Sequence, residues 1–165
     1  MIIGIGGVSR AGKTTLANLL KKQLKGKTIS ILNQDDFVKK SGLPKIKNHI
    51  DWEHPDSLDW KELRKKIISE SAVSEIIIVE GLFAFYDTEI VSKYDFCIFM
   101  SIEKEIFLHR KRKDKRWGNE PEWFIQHIWN SYLKYGSLPE IPSEVLVING
   151  TQKVNTNQII SYLYS

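Results

Sequence analysis

The stretch Gly7-Val8-Ser9-Arg10-Ala11-Gly12-Lys13-Thr14 decides the fold of this chain. It matches the pattern Gly, four residues, Gly-Lys-Ser/Thr, in which the backbone N–H groups of a glycine-rich turn form a cradle for phosphate. Such a loop lies between a strand and a helix. Residues 2–6 form a short apolar run that suits a strand. Residues 13–24 carry leucines three and four positions apart, which indicates a helix with one apolar face. The sequence therefore predicts a strand, a phosphate-binding loop and a helix in this order.

The residue types in this loop suit a nucleotide polyphosphate. Gly7 and Gly12 allow backbone conformations that turn several N–H groups inward at the positive end of a helix dipole. Lys13 can neutralise the terminal phosphates, and the Thr14 hydroxyl can coordinate a Mg²⁺ ion that bridges two phosphates. A glycine-rich turn without a ligand is the alternative. The loop residues that we expect to bind ATP are Gly7, Val8, Ser9, Arg10, Ala11, Gly12, Lys13, Thr14 and Thr15.

Short β-branched runs alternate with longer segments of helical period along the chain. This pattern is typical of an α/β fold, a parallel sheet flanked by helices on both faces. We predict five strands, at residues 2–6, 28–32, 76–80, 95–100 and 145–148. The predicted helices are residues 13–24, 60–71, 104–113, 122–135 and 155–163. Residues 36–59 are irregular, and a loop that long in a compact domain is usually functional.

Length and composition limit the classes of protein to consider. A chain of 165 residues has the length of one domain, so we predict a single domain over residues 1–165. With 42% hydrophobic and 27% charged residues, it has the balance of a globular rather than a disordered or membrane protein. The apolar start runs into Arg10 and Lys13, so we expect no signal peptide, no membrane partner and a cytoplasmic location. Cys97 lies in an apolar run and is expected to be buried.

Carboxylates follow two of the predicted strands. Asp35 and Asp36 come after strand 28–32, where the carboxyl ends of parallel strands open into one crevice, so Asp35 should face the phosphates. A carboxylate there can accept a hydrogen bond from an acceptor hydroxyl, take its proton during phosphoryl transfer and contact Mg²⁺. A turn or helix cap is the alternative. Glu80 is the second acid that can reach the magnesium shell, and a strand-end residue facing water is its alternative.

A basic run, His109-Arg110-Lys111-Arg112-Lys113-Asp114-Lys115-Arg116, follows the fourth predicted strand. Such a run can close over the phosphates of a nucleotide, follow a nucleic-acid backbone or form a solvated helix face. A nucleic-acid partner is not expected, because no aromatic platform or known binding motif accompanies the run.

Together these residues resemble a family, the uridine kinase and nicotinamide riboside kinase group of P-loop kinases. Beyond the phosphate loop the likeness spans nearly the whole chain and rests on Gln34-Asp35-Asp36-Phe37, Trp52-Glu53-His54-Pro55-Asp56-Ser57-Leu58-Asp59, Ile77-Ile78-Val79-Glu80-Gly81 and His127-Ile128-Trp129-Asn130-Ser131-Tyr132-Leu133-Lys134-Tyr135. The last segment looks specifically like nicotinamide riboside kinases. The resemblance implies a P-loop nucleoside kinase fold with a small lid, with Mg²⁺ as cofactor and ATP as co-substrate.

The resemblance also implies roles for single residues. In the family the first Asp of the Gln-Asp-Asp-Phe segment, here Asp35, is the catalytic base and a magnesium contact. The family's aromatic residue and the Asp that holds the ribose hydroxyls correspond to Trp52 and Glu53, so Glu stands here where the family has Asp, and its added methylene alters the pocket. Trp52 suits ring stacking, and a cationic nicotinamide would gain a cation–π contribution of about 0.5–2 kcal/mol. Packing in the core is the alternative for Trp52.

Family members carry an arginine-rich lid after the fourth strand, and Arg110 and Arg112 are the preferred contacts here. Asn149-Gly150-Thr151 resembles the family's adenine-side loop, with a simple turn as the alternative. Trp129 and Tyr132 are expected to pack against the sheet.

The predicted site residues fall into four groups. The catalytic residues are Asp35, Lys13 and Arg112, and the further ATP contacts are Arg110 and Thr151. The substrate contacts are Asp35, Asp36, Phe37, Trp52, Glu53 and Arg112, and the Mg²⁺ contacts are Thr14, Asp35 and Glu80.

Three hypotheses on function follow. The first is phosphorylation of a nucleoside ribose 5′-hydroxyl, with nicotinamide riboside ahead of uridine or cytidine, by a monomer or homodimer. The second, which Glu53 leaves open, is a kinase for another small metabolite. The third is a non-catalytic module that binds ATP or GTP. It lacks sequence support, because no Asn-Lys-x-Asp guanine-reading segment occurs and such a module would not need Gln34-Asp35-Asp36-Phe37 beside the phosphates.

Overall fold

A computed structural model describes residues 1–116, 118–138 and 144–164. The strands are β1 (Ile2–Gly7), β2 (Ile29–Asn33), β3 (Lys45–Ile46), β4 (His49–Ile50), β5 (Ile76–Gly81), β6 (Phe96–Ser101) and β7 (Val145–Asn149). The α-helices are α1 (Lys13–Gln23), α2 (Trp60–Ser71), α3 (Thr88–Val91), α4 (Lys104–Lys113), α5 (Glu122–Ser131) and α6 (Thr156–Leu163). Gln34–Phe37 and Pro55–Ser57 form 3₁₀ turns, and Tyr132–Gly136 forms a π-helical turn.

Five of the strands form one sheet in the order β2-β5-β1-β6-β7, and every neighbouring pair is parallel. The predicted five-stranded parallel sheet is thus confirmed, and the ends of each strand lie within one residue of the predicted ones. From β1 at the centre, the chain first forms β2 and β5 on one side of the sheet and then crosses over to form β6 and β7 on the other side. Such a reversal of strand order opens a crevice at the carboxyl ends of the strands, where ligands bind in folds of this class.

The central strands are covered on both faces. All six residues of β5 are buried, as are the last five of β1. Successive side chains of a strand point to opposite faces, so an unbroken buried run requires packing on both sides of the sheet. Ile3, Ile5, Ile78 and Ile98 have no exposed surface and form the centre of the core. The continuous apolar runs in the sequence are therefore the signature of a sheet enclosed between helices.

The helices follow the predicted periods closely. The bounds of α2 and α4 are those predicted, and Asn155 lies just outside α6, where its side chain caps the helix by accepting a hydrogen bond from the Gln158 N–H. The helix predicted at 122–135 is α-helical only to Ser131 and continues as the π-helical turn. The short helix α3 was not predicted, because four residues are too few to show a period.

The irregular residues 36–59 form a closed excursion from the sheet. Its two ends are joined where the Asp59 N–H donates to the Phe37 carbonyl at 2.7 Å and the Lys39 N–H donates to the Ser57 carbonyl at 2.8 Å. Between them β3 and β4 pair antiparallel through a two-residue turn, in which Lys47 has a φ of 45° and Asn48 a φ of 64°. Positive φ at both turn positions suits a tight hairpin. The excursion is therefore an ordered loop whose ends are fixed beside β2.

Aromatic side chains pack α4 and α5 together. Phe107 has no exposed surface, and its ring centroid lies 5.3 Å from that of Trp129. Trp129 and Tyr132 are both buried, and Tyr132 stacks on Phe99 of β6, in line with the prediction that they pack against the sheet. Cys97 is also buried as predicted, and burial raises the pKa of its thiol to about 11. Among the helices of the described ranges, none is both long and apolar enough to cross a membrane.

Replacing Phe107 with Ala is expected to lower the free energy of unfolding by about 3–5 kcal/mol, because a large buried ring is replaced by a cavity between α4 and α5. The neighbouring Ile106 is 36% exposed, so Ile106→Ala serves as a matched control with a smaller loss. Urea unfolding followed by circular dichroism measures both. Equal losses for the two variants would show that Phe107 does not anchor α4.

Candidate active site

The predicted strand, phosphate loop and helix are present. β1 ends at Gly7 and α1 begins at Lys13. Between them Gly7 has a φ of 137° and Gly12 a φ of 104°, a region that favours glycine. A side chain at Gly7 would also clash with the backbone carbonyl of Met100. The turn therefore needs glycine at both ends, and it places the first N–H groups of α1 at the carboxyl end of the sheet.

Lys13 and Thr14, the first residues of α1, already contact the groups around them. The Lys13 ammonium is buried and donates to the Val8 carbonyl at 3.0 Å. Burial lowers the pKa of Lys13, and the negative charges of Glu80, Asp35 and Glu53 oppose that shift. The Thr14 hydroxyl donates to Glu80 Oε1 at 2.7 Å. The phosphate loop and the predicted carboxylates therefore face one another.

Glu80 is only 1% exposed, so it is not a strand-end residue facing water. It pairs in register with Ile5 of β1 and with Asn33 of β2, which puts it between the phosphate loop and the end of β2. Burial raises the pKa of the Glu80 carboxyl, while the hydrogen bond from Thr14 and the charge of Lys13 lower it. Glu80 is thus a buried acid that is hydrogen-bonded by Thr14 and lies within the electrostatic reach of Lys13.

Asp35 lies at the mouth of the same crevice. The Asn33 side chain accepts a hydrogen bond from the Asp35 N–H at 2.9 Å and starts the 3₁₀ turn, which leaves the Asp35 carboxylate exposed. Gln34 is buried and ties this turn to the loop after β5, because its Oε1 accepts from the Phe83 N–H at 3.0 Å. The turn and the functional interpretation of this segment are therefore compatible, since Asn33 supplies the cap and Asp35 faces the opening.

Trp52 and Glu53 lie on the acceptor segment, by which we mean residues 51–59. Trp52 is 45% exposed, so the alternative that it packs in the core is wrong. Glu53 is partly buried, and desolvation together with the nearby charge of Asp35 raises its pKa to about 7. Lys111 and Lys13 oppose this shift. Glu53 is therefore close enough to Asp35 and Lys13 to share their electrostatic environment.

The arginines of the basic run take different positions. Arg110 donates to the carbonyls of Arg10 at 3.0 Å and of Gly150 at 3.1 Å, so it joins the phosphate loop to the loop after β7. Arg116, which sequence reasoning did not select, pairs with the buried carboxylate of Asp114 and lines the nucleotide-sized cleft described below. Hydrogen bonds from Arg116 hold the pKa of Asp114 well below its usual range.

Arg112, in contrast, forms an ion pair with Glu122 at 2.6 Å at the start of α5 and does not line the cleft. Its predicted contact with the transferred phosphoryl group stays a prediction. The only sequence signal that could have pointed to Arg116 is its place at the end of the basic run, where the chain leaves α4.

A cleft of about 790 Å³ runs from the phosphate loop towards α6. This volume is within the range of about 300–1,000 Å³ that small-molecule sites occupy. Its inner end is lined by residues 10–15, and its outer end by Leu19, Gln23, Gln152, Lys153, Val154 and Thr156. Thr151 is not among the lining residues, and its hydroxyl donates to Asn149 Oδ1 at 2.6 Å. The loop after β7 thus borders the cleft through the residues on either side of Thr151.

The oxygen donors beside the phosphate loop suit Mg²⁺. The Thr14 hydroxyl and the Glu80 carboxylate are in contact, and the charge of Asp35 reaches Glu80 and raises its pKa further. Hard oxygen ligands of this kind, completed by phosphate oxygens and water, are those that Mg²⁺ prefers. Within the described ranges no three His, Cys, Asp or Glu side chains group to hold a metal by themselves. The residues present fit an ion that binds together with a nucleotide.

Known proteins resemble this chain in sequence and in fold. Residues 69–129 match the model of the Phosphoribulokinase / Uridine kinase family. The chain is 26% identical to the uridine kinase of Deinococcus deserti, over 81% of this chain and 76% of that protein. It is 29% identical to human nicotinamide riboside kinase 1, over 92% of this chain and 84% of that protein.

Among solved structures, an unliganded sugar kinase from Janibacter sp. HTCC2649 aligns with a TM-score of 0.62 and 19% identity, covering 98% of this chain and 91% of that one. At this identity the match shows the fold alone. The family model covers β5 and the segment that follows it. These matches confirm the resemblance to the uridine kinase and nicotinamide riboside kinase group, and the parallel sheet is that of a P-loop kinase fold.

Proposed function

We propose that this protein transfers the γ-phosphoryl group of ATP to the 5′-hydroxyl of a nucleoside, with nicotinamide riboside as the preferred acceptor. The observation that carries the proposal is the position of Asp35. Its charge acts on Lys13 at the phosphate loop and on Glu53 of the acceptor segment, and its side chain is exposed at the mouth of the crevice. A group placed there can contact both the phosphate donor and the acceptor.

The phosphate side of the reaction depends on the residues of the loop. The N–H groups at the start of α1 bind the phosphates, and Lys13 exchanges the Val8 carbonyl for a phosphate oxygen. Arg116, at the edge of the cleft, can leave Asp114 for the phosphates and stabilise the charge on the phosphoryl group. When bound, Mg²⁺ held at Thr14, Glu80 and Asp35 would neutralise phosphate charge.

On the acceptor side Asp35 acts as the general base. The 5′-hydroxyl donates a hydrogen bond to the Asp35 carboxylate, which aims an oxygen lone pair at the γ-phosphorus. As the new O–P bond forms, the bond from the γ-phosphorus to its bridging oxygen breaks and ADP leaves with that electron pair. The hydroxyl proton passes to Asp35. The products are the 5′-monophosphate and ADP.

The acceptor segment favours a cationic ring. The exposed Trp52 ring can stack on the base, and Glu53 and Asp35 place negative charge near it. A pyridinium ring would gain a cation–π contribution of about 0.5–2 kcal/mol that a neutral pyrimidine lacks. The similarity to nicotinamide riboside kinase 1 over most of the chain supports the same acceptor.

Uridine or cytidine is the second candidate. It is supported by the match to a uridine kinase over 81% of the chain. A different small metabolite is the third candidate acceptor, because the Glu53 side chain is longer than that of Asp and narrows the acceptor pocket. Contacts of Asp36, Phe37, Arg112 and Thr151 with the substrates are predictions that belong to this proposal.

Replacing Asp35 with Asn should lower kcat for phosphoryl transfer by about 10²–10⁴-fold, since the amide cannot take the hydroxyl proton. The affinity for ATP should change little, because the phosphate loop is intact. Coupled assays of ADP release give kcat, and calorimetric titration with ATP gives the dissociation constant.

Asp56 provides the matched control for this test. It lies on the acceptor segment with a side chain that is 75% exposed, so Asp56→Asn should retain wild-type turnover. Turnover by Asp35→Asn equal to that of Asp56→Asn would rule out Asp35 as the base.

The pH dependence should report on Glu53. An ionised Glu53 can accept a hydrogen bond from a ribose hydroxyl and attract a cationic ring, whereas the neutral form cannot attract the ring. With a pKa of about 7, kcat/KM for nicotinamide riboside should rise as pH increases through that value. Glu53→Gln should remove this rise, and a wild-type rise that persists in Glu53→Gln would contradict the assignment.

The raised pKa of Glu53 also affects stability, and the free energy of unfolding should change with pH in the direction opposite to kcat/KM. Folding raises the pKa of Glu53 from 4.5 to about 7, so the neutral form is favoured in the folded protein. The contribution of Glu53 to the free energy of unfolding is fully present below pH 4.5 and is lost as pH rises through about 7. The free energy of unfolding of the wild type, relative to Glu53→Gln, should therefore fall over this range in urea titrations. A pH-independent difference would show that Glu53 titrates alike in the folded and unfolded states.

A further inference from the structure

Asp51 is a buried carboxylate directly before Trp52 and Glu53. It is 6% exposed, and its Oδ1 accepts two hydrogen bonds, from His127 Nε2 at 2.7 Å and from the Glu53 N–H at 3.2 Å. The second of these bonds closes a turn over Trp52, which must then project outward. One oxygen atom thus connects the backbone of the acceptor segment to a side chain 76 positions away.

His127 is the support on the other side of this contact. It lies on α5 and is partly buried, and the Ser131 hydroxyl lies 3.4 Å from the same Nε2 atom. Donation to Asp51 requires the proton on Nε2, so the buried carboxylate selects that tautomer. A buried carboxylate without such partners is costly, which means that Asp51 and His127 hold each other in place.

A second set of contacts joins α5 to the chain just before Asp51. The His49 ring of β4 lies 5.3 Å from the Trp123 ring, and the Lys47 ammonium lies 4.8 Å from the Trp123 ring centroid. The Asp51 N–H also donates to the Pro44 carbonyl at 2.8 Å, across the hairpin. The hairpin and the acceptor segment therefore rest on one face of α5.

We propose that Asp51 and His127 are positioning residues for the acceptor. Through the hydrogen bond between them and the bond to the Glu53 N–H, they fix the direction in which Trp52 and Glu53 enter the site. This role rests on the proposed function, because it is the acceptor that Trp52 and Glu53 would contact. Neither Asp51 nor His127 lines the cleft beside the phosphate loop, so ATP binding does not depend on them.

The two residues offer matched substitutions. Asp51→Asn keeps an oxygen that accepts from both the Glu53 N–H and His127, whereas Asp51→Ala removes both bonds. His127→Gln keeps an N–H donor at a similar reach, whereas His127→Leu removes it. Asp56→Ala, at an exposed position of the same segment, controls for general disturbance of the loop.

Steady-state kinetics with Mg-ATP and nicotinamide riboside on the full chain test the proposal. Asp51→Ala and His127→Leu should raise the acceptor KM by on the order of tenfold or more while the KM for ATP stays within about twofold, since misplaced positioning groups act on their own substrate. Asp51→Asn, His127→Gln and Asp56→Ala should stay close to wild type. A rise in both KM values together, or an unchanged acceptor KM, would overturn the role.

Hydrogen exchange of the Glu53 amide, followed by NMR without any substrate, gives a second readout. Exchange should speed up in Asp51→Ala and stay slow in Asp51→Asn, because only the former loses the acceptor for this N–H. Equal exchange in the two variants would overturn the proposed contact. If both Asp51→Ala and His127→Leu fail to fold, the pair serves stability, and the positioning role is likewise overturned.

The wild-type protein separates this inference from the proposed function. A wild type that phosphorylates no nucleoside overturns the proposed function and the acceptor role with it. A wild type that is active, beside an Asp51→Ala variant with unchanged kinetics, overturns the positioning role alone.

Discussion

The site depends on the interaction between the buried ammonium group of Lys13 and the carboxylates around it. Burial alone would favour its neutral form, but Glu80, Asp35 and Glu53 surround it with negative charge and oppose that change. In return Lys13 makes it less costly to keep these carboxylates together, since its charge lowers the pKa of both Glu80 and Glu53. A bound polyphosphate would add further negative charge to this group, and helix N–H groups, arginines and a metal ion are the groups that would offset it.

The sheet order makes this arrangement possible. With β1 between β5 and β6, and β2 beside β5, the phosphate loop, Glu80 and Asp35 all emerge at one end of the sheet. Arg110 then links the loop to the chain after β7, which fixes both walls of the cleft. On the other side, His127 of α5 is hydrogen-bonded to Asp51 of the acceptor segment. The proposed donor and acceptor sites thus lie on different elements around a shared group of charges.

Much of this could be predicted from the sequence, because the signals are local. The phosphate loop has fixed residues at fixed spacing, the strands are short and mostly apolar, and Asp35 comes two residues after the end of β2. Side-chain positions could not be predicted where tertiary packing decides them. Thr151 is next to residues that line the cleft but turns to Asn149, and Arg116 borders the cleft while Arg112 pairs with Glu122. The contact between Asp51 and His127 leaves no local pattern at all.

The most direct test of the account is ADP release from Mg-ATP by the wild-type protein, measured with nicotinamide riboside, uridine, cytidine and a blank without acceptor. We expect turnover well above the blank and the largest kcat/KM for nicotinamide riboside, since only that ring is cationic beside Trp52 and the carboxylates. A larger kcat/KM for uridine or cytidine would contradict the choice of acceptor. Turnover with no nucleoside above the blank would contradict the nucleoside kinase assignment itself.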